Sequence, residues 1–333
     1  MYAMKISRRR FLCHSGAGLA ALGLARPYPV AAQSAPGALR ILCSGPGGSI
    51  PDIIARRYAE HMGTRQAGSA VVDNRAGAAG QIAVSALKQA SPDGATVLLA
   101  QGAIATVYPY LYAKLAYDPA VDLKPVSLAA ETTLGLAVGP GVPAEVRDLR
   151  GFLDWARRNP KSSNFGSPGV GTLPHLLGVV LFREAQVEAQ HVVYAGGPPA
   201  MVDLLGGRIA ALVLPEGLLR QHQVAGKLRV LATSGSTRSV YMPEVPSFVE
   251  QGFPTLVMLE WFAFFMPGAT PPATVERVSQ SIREAAANPQ LGAGLGETGM
   301  LAKAGTPLAL AERIAVEQRY WQGVMRSTGI RAE

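Results

Sequence analysis

LRILCSGPGGSIPDIIAR, residues 39–56, passes from an apolar run through a glycine-rich turn into a helical pattern. Leu39, Ile41, Leu42 and Cys43 give the first part strand character. Gly47 and Gly48 let backbone N–H groups converge, Ser49 can cap the helix that follows, and Pro51 suits its first turn. Asp52 complements the positive end of that helix. Strand, tight turn and helix in that order open a βαβ unit, and the turn is suited to an anion because free N–H groups and the helix dipole point the same way. A tight turn with no ligand fits the same residues. The dinucleotide fingerprint fails, since Ile50 stands where the third glycine belongs, and the Lys-Ser/Thr of a nucleotide P-loop is absent.

The alternation continues outward. Further strand-like runs are AVVDNR (70–75), TVLLAQ (96–101), QHVVYA (190–195), AALVLP (210–215) and LRVLATS (228–234). Helical patterns such as LRGFLDWARRN (149–159) and LPHLLGVVLFREA (173–185) separate them. Apolar strands with intervening helices point to an α/β protein built of parallel units. LGLAVG (134–139) and WFAFFMPG (261–268) are extended apolar runs of another kind. As crossing strands they give two α/β lobes, the first made of 38–136 and 262–333 and the second of 137–261. One continuous α/β domain is the competing reading.

Two further turns repeat the chemistry of the first. In NFGSPGVGTLPH (164–175), Gly169 and Gly171 clear space, Ser167 and Thr172 supply hydroxyls, and His175 is placed either to touch an anion or to pack. In YAGGPP (194–199), the amides of Gly196 and Gly197 beside Tyr194 can complete a cradle. Glu216, after the 210–215 run, is the one acid placed to meet a ligand. Asp52 reads as a dipole partner and Asp203 as an exposed helical residue. No G-x-S-x-G elbow, HExxH or metal-ligand spacing occurs, and no paired acid and base can be argued, so no metal, cofactor or catalytic group is expected.

The 333 residues carry a formal charge of +8. Much of it lies in the first 32 residues, which hold Lys5, Arg8, Arg9, Arg10 and Arg26 and no acid. SRRRFL (7–12), a short apolar run and Val30-Ala31-Ala32 make an export signal of twin-arginine type with cleavage expected after Ala32. A Sec signal or an uncleaved anchor is the alternative. Cleavage leaves 26 bases against 23 acids, a balance of +3, which removes the case for a nucleic-acid partner. It also leaves Cys43 as a lone thiol, expected to be buried and inert.

From residue 39 to 330 the order of motifs resembles the periplasmic substrate-binding receptors of tripartite tricarboxylate transporters, the Bug family. The carriers are PGGSIPDIIAR (46–56), VVDNRAGAAG (71–80), SPDGATVLLA (91–100), LYAKLAYDPAVDLKPVS (111–127), NFGSPGVGTLPHL (164–176), HVVYAGGPPAMVDLLGGRI (191–209), AGKLRVLATS (225–234) and PEVPSFVEQGFP (243–254). Ala76 stands where that family usually has Pro, Pro51 where Thr is common, and Pro215-Glu216-Gly217 where Asp or Asn is common. The resemblance implies a type II periplasmic-binding-protein fold, two lobes joined by two crossing strands, and a monomeric receptor rather than an enzyme. It implies a small carboxylate as ligand and membrane subunits of such a transporter as partners. Carried over residue by residue, it points to Gly47, Gly48, Ser49 and Ile50 on one side. On the other are Ser167, Gly169, Gly171, Thr172, His175, Tyr194, Gly196 and Gly197. The turn at 101–106, with Gln101 and Ala103, also faces the cleft in this reading. An exported α/β enzyme acting on a carboxylate is the functional alternative.

Overall fold

The structure, a computed structural model, describes residues 38–66 and 70–332. The export signal expected at 1–32 lies outside the described residues. Among the described residues ten strands are formed in chain order: β1 (Leu39–Cys43), β2 (Ala70–Asn74), β3 (Thr96–Gln101), β4 (Leu123–Val138), β5 (Asn164–Ser167), β6 (Gln190–Val193), β7 (Ala211–Pro215), β8 (Arg229–Thr233), β9 (Leu259–Pro267) and β10 (Leu301–Ala302). They join in one curled sheet of order β2-β1-β3-β9-β4-β7-β5-β6, with β8 and β10 also paired to β4.

The parallel units expected from sequence are present at both ends of this sheet: β1 runs parallel to β2 and β3, and β5 to β6 and β7. The centre is antiparallel, which the alternation of strand and helix did not reveal. There β9 lies antiparallel between β3 and β4, and β4 pairs antiparallel with β7 and β8. The cause is the length of β4. Its 16 residues outrun any one partner: residues 123–133 face β9, and residues 134–138 face β7 and β8. Register shifts at Pro125/Ser127, Leu128/Ala130 and Leu136/Ala137 bend the strand, as bulges do, and let it serve two ladders. The run 134–139 is thus the second half of β4. The run 261–268 belongs to β9, which is bonded within the first ladder.

Ser234, fully buried, ties the two passages between ladders together. Its backbone N–H donates to Leu134 O (2.8 Å), and its hydroxyl oxygen accepts from Leu134 N–H (2.8 Å). The same hydroxyl donates to Met258 O, and Met258 N–H donates to Ser234 O (2.9 Å).

Three apolar clusters hold the layers. Helices Ile50–Gln66 and Pro272–Ala286 cover one face of the first ladder through Ile54, Tyr58, Val278 and Ile282 against Ile41, Leu99 and Phe264. Tyr58 lies edge-on to Phe264 and donates its hydroxyl to Ala129 O (2.7 Å). Helices Gly197–Leu205 and Glu216–Val224 cover the second ladder with Leu204 and Leu219 over Leu212. The third cluster runs across both ladders, from Leu98 and Tyr108 through Leu136 to Phe152, Phe165 and Leu177, and takes in Trp321 of helix Pro307–Thr328. A core shared in this way gives the ladders a common base while their open ends face each other.

Candidate functional site

In each parallel triplet the strands end on the same side, so the turns after β1, β2, β5, β6 and β7 converge. Open α/β sheets place ligands at these carboxyl ends. Between the two sets of turns lies a cavity of about 610 Å³, within the size range of small-molecule sites. Its wall includes Ser44, Ser49 and Ile50 after β1, residues 77–81 after β2, Gln101 at the end of β3, Gly169 and Thr172 after β5, Tyr194–Gly197 after β6, and Pro215 and Leu218 after β7. The turns of opposite ladders touch at its rim. A Cβ on Gly196 would stand 2.8 Å from Pro46 Cγ, and one on Gly169 would stand 3.1 Å from Ala79 Cβ. Tyr112 also donates its hydroxyl to Val170 O (2.9 Å).

The helix starts around this cavity are set by short local rules. Asp52 accepts from Gly48 N–H (2.9 Å) and from Asn74 Nδ2 (2.9 Å), and it pairs with Arg56 one turn on. Burial works against ionisation of Asp52, but the bonds from Arg56, Gly48 and Asn74 outweigh it and hold the carboxyl below the usual carboxylate range. Ser49 uses its N–H and its hydroxyl on Pro46 O (3.1 and 2.6 Å). Thr172 caps helix Leu173–Glu184, accepting from His175 N–H (3.5 Å). Gly196, at φ 115°, caps helix Gly197–Leu205 in a conformation that L side chains rarely adopt. Three helix N-termini therefore present their positive ends to one cavity.

Of the residues singled out in the sequence, Ser49, Ile50, Gln101, Gly169, Thr172, Tyr194, Gly196 and Gly197 line the cavity. Gly47 and Gly48 are exposed on the same turn as Ser49 but outside the lining. Ala103 and Gly171 lie in the packed layer behind, the latter against Leu111 and Tyr108. Ser167 is fully buried, with its hydroxyl 2.7 Å from His191 Nε2. His175 is buried too: its ring lies 4.2 Å from that of His191, and its Nδ1 accepts from Gly171 N–H (3.1 Å). Burial and the neighbouring His191 push His175 down to about 3, and burial pushes His191 down to about 4, so both rings are neutral. Glu216 is buried outside the lining, where its Oε1 accepts from Ser239 Oγ (2.7 Å).

The structure adds residues that the sequence reading passed over. The turn 77–80 holds Ala78 and Ala79 at positive φ (45° and 51°), an uncommon state for a residue with a Cβ. It is pinned there because Ala79 O accepts from Gln101 Nε2 (2.6 Å) and from Tyr108 OH (2.8 Å). Ser44 in turn donates to Gln101 Oε1 (2.8 Å), so one glutamine joins the turns after β1 and β2. Glycines at 77 and 80 were the available signal. Glu260 and Phe262 of β9 also line the cavity, and Glu260 is the acid immediately before the apolar run at 261. Lys114 and Glu260 are the charged side chains of the lining.

Burial pushes the Cys43 thiol up to about 12, which leaves it un-ionised, and no group of His, Cys, Asp and Glu suited to a metal occurs among the described residues. The arrangement can bind an anion between dipoles and enclose it.

A family model for the tripartite tricarboxylate transporter family receptor matches residues 54–330. BugT of Bordetella pertussis is 31% identical over 321 residues, covering 96% of this chain and 98% of that protein. Among solved structures, R. palustris Rpa4515 with adipate superposes with a TM-score of 0.83 at 26% identity, over 89% of this chain and 99% of the other. The periplasmic binding protein BugD superposes with a TM-score of 0.83 at 23% identity, over 89% and 99% of the two chains, a likeness of fold.

Proposed function

The chain belongs to the tripartite tricarboxylate transporter receptor family, and from that premise we propose that it captures a small carboxylate in the cavity and delivers it to membrane subunits of such a transporter. The observation that carries the reading is the convergence of three helix N-termini, from both ladders, on one cavity. A carboxylate placed among them meets partial positive charge from each side, so the bound anion itself holds the ladders together. Rpa4515, which shares the fold and about a quarter of its sequence, was solved with adipate.

In this reading residues 38–136 and 262–333 form one lobe and 137–261 the other. The change of partner along β4 after residue 133, and the ties of Ser234 to Leu134 and Met258, support a hinge at that level. The lobes part to admit the ligand and close over it, driven by contacts made only in the closed state. Ser49 and Ile50 face Gly169, Thr172, Tyr194, Gly196 and Gly197 across the ligand. Gln101 holds the first-lobe turns in place; Ser167, Gly171 and His175 set the shape of the second-lobe turn. The protein works as a monomer in the periplasm, exported through the signal at 1–32, and catalyses nothing.

A thermal-shift screen of organic acids tests this. At least one carboxylate should raise the unfolding midpoint saturably and be recovered unchanged, since binding to the native state alone raises its stability. Conversion of the acid, or no shift with any acid, would sink the reading.

A further inference from the structure

The peptide joining Val170 to Gly171 is gripped from two sides. Its N–H donates to His175 Nδ1 (3.1 Å), within the second-lobe turn, and its carbonyl accepts from the hydroxyl of Tyr112 (2.9 Å), which comes from the other lobe. In a trans peptide these two groups point opposite ways, so the pair of bonds fixes the plane of the peptide. Gly171 stands at φ 80°, and a glycine adopts either sign of φ, so nothing in its own backbone opposes a turnover of that plane. Tyr112 is itself well held. Ala332 forms a parallel bridge with it and donates its N–H to Leu111 O (3.0 Å). The Tyr112 ring lies edge-on to Tyr108, 5.2 Å away, and Tyr108 is anchored on Ala79 O. Tyr112 and Val170 both line the cavity, beside Gly169 and Thr172 at the start of helix Leu173–Glu184. A carbonyl freed at this wall would set its negative end beside a bound anion.

We propose that Tyr112 is a positioning residue of the binding site: its hydroxyl takes up the Val170 carbonyl and so locks the 170–171 peptide, and with it the turn 169–172, in the state that accepts an anion. The inference rests on the receptor reading above and adds to it a residue that acts through the turn rather than on the choice of ligand. The proton of the hydroxyl is committed to Val170, so every carboxylate gains from it equally. A second tyrosine offers a comparison. Tyr241 donates its hydroxyl to Met300 O (3.3 Å), again from one lobe to the other, but neither residue lines the cavity.

Hydrogen exchange on the purified, ligand-free protein tests the lock alone. In Tyr112→Phe, which keeps the ring against Tyr108, exchange across residues 169–176 should quicken about fivefold, the weight of one hydrogen bond, with the unfolding midpoint close to that of the wild type. Calorimetry with hexanoate and adipate as probes then reads the effect on binding. Affinity should fall in Tyr112→Phe by one common factor of about five for each acid that the wild type binds. Tyr241→Phe, which removes a bond between the same two lobes away from the cavity, should leave both readouts nearly unchanged. Unaltered exchange at 169–176, factors that differ between the two acids, or an equal loss in Tyr241→Phe would overturn the inference and leave the receptor reading standing. Failure of every acid, here and in the wider screen, would overturn the receptor reading, while exchange in the empty protein would still decide whether Tyr112 locks the turn.

Discussion

His175 and His191 show how a residue that reads as a ligand contact serves the shape of a turn instead. Their rings lie 4.2 Å apart; one accepts from Gly171 N–H and the other meets Ser167 Oγ. Both titrate below the ordinary 6.5 of histidine. The unfolded chain therefore takes up protons that the folded one refuses, so the stability they lend is full above pH 6.5 and falls as pH drops towards 4. The unfolding midpoint should decline over that window, and His191→Phe, which keeps a ring against Phe165, should flatten the decline. An unchanged slope in the variant would place the acid sensitivity elsewhere. His175 could be read as capping or touching an anion from its place in a Gly-rich turn, but the stacking partner sixteen residues on becomes visible only when β5 and β6 pair and bring Phe165 opposite His191. Glu260 was hidden for a similar reason. One acid before an apolar run looks like a strand end, and only the seam of two ladders makes it a cavity wall.

At the scale of elements, the turns were legible and their use of amides was not. The glycine pattern of 44–49, 168–172 and 194–197 marks places where helices start at strand ends, and all three turns line the cavity. Which amides are used within a turn depends on side-chain bonds such as Gly48 to Asp52, which spacing alone does not fix. The parallel units were likewise legible from apolar runs and helices. The antiparallel centre was not, because a 16-residue strand that changes partners reads as two short ones. The touching turns give a direct prediction. Gly196→Ala places a methyl 2.8 Å from Pro46 Cγ in a backbone state (φ 115°) that strains it. It should hold the ladders apart at the rim and weaken carboxylate binding about tenfold by calorimetry, while the far-UV circular dichroism stays that of the wild type. Undiminished affinity would show that the contact between Gly196 and Pro46 plays no part in closure.

At the scale of the whole molecule, the +8 of the sequence and the two-ladder core carry different messages. The charge sits largely in 1–32, and the cavity wall carries one cation and one acid, so on the proposed reading attraction of the ligand rests on dipoles rather than on a field of basic residues. In the proposed hinge, closure rests on the passage between ladders. Ser234→Ala leaves the buried Leu134 N–H without its hydroxyl partner and frees Met258 O, which should cost about 1–3 kcal/mol of stability in denaturant unfolding. It should also broaden the open–closed equilibrium, seen as a larger radius of gyration without ligand; a variant as stable and compact as the wild type would contradict a hinge held by this serine. The central claim is that an anion binds among the converging helix N-termini. It is tested most directly at Ala195, an exposed residue of the cavity wall. Calorimetric titration with the best carboxylate from the screen should give saturable binding of one ligand per chain, weakened about tenfold or more in Ala195→Asp and nearly kept in Ala195→Asn. Equal affinity in the two variants would contradict the account.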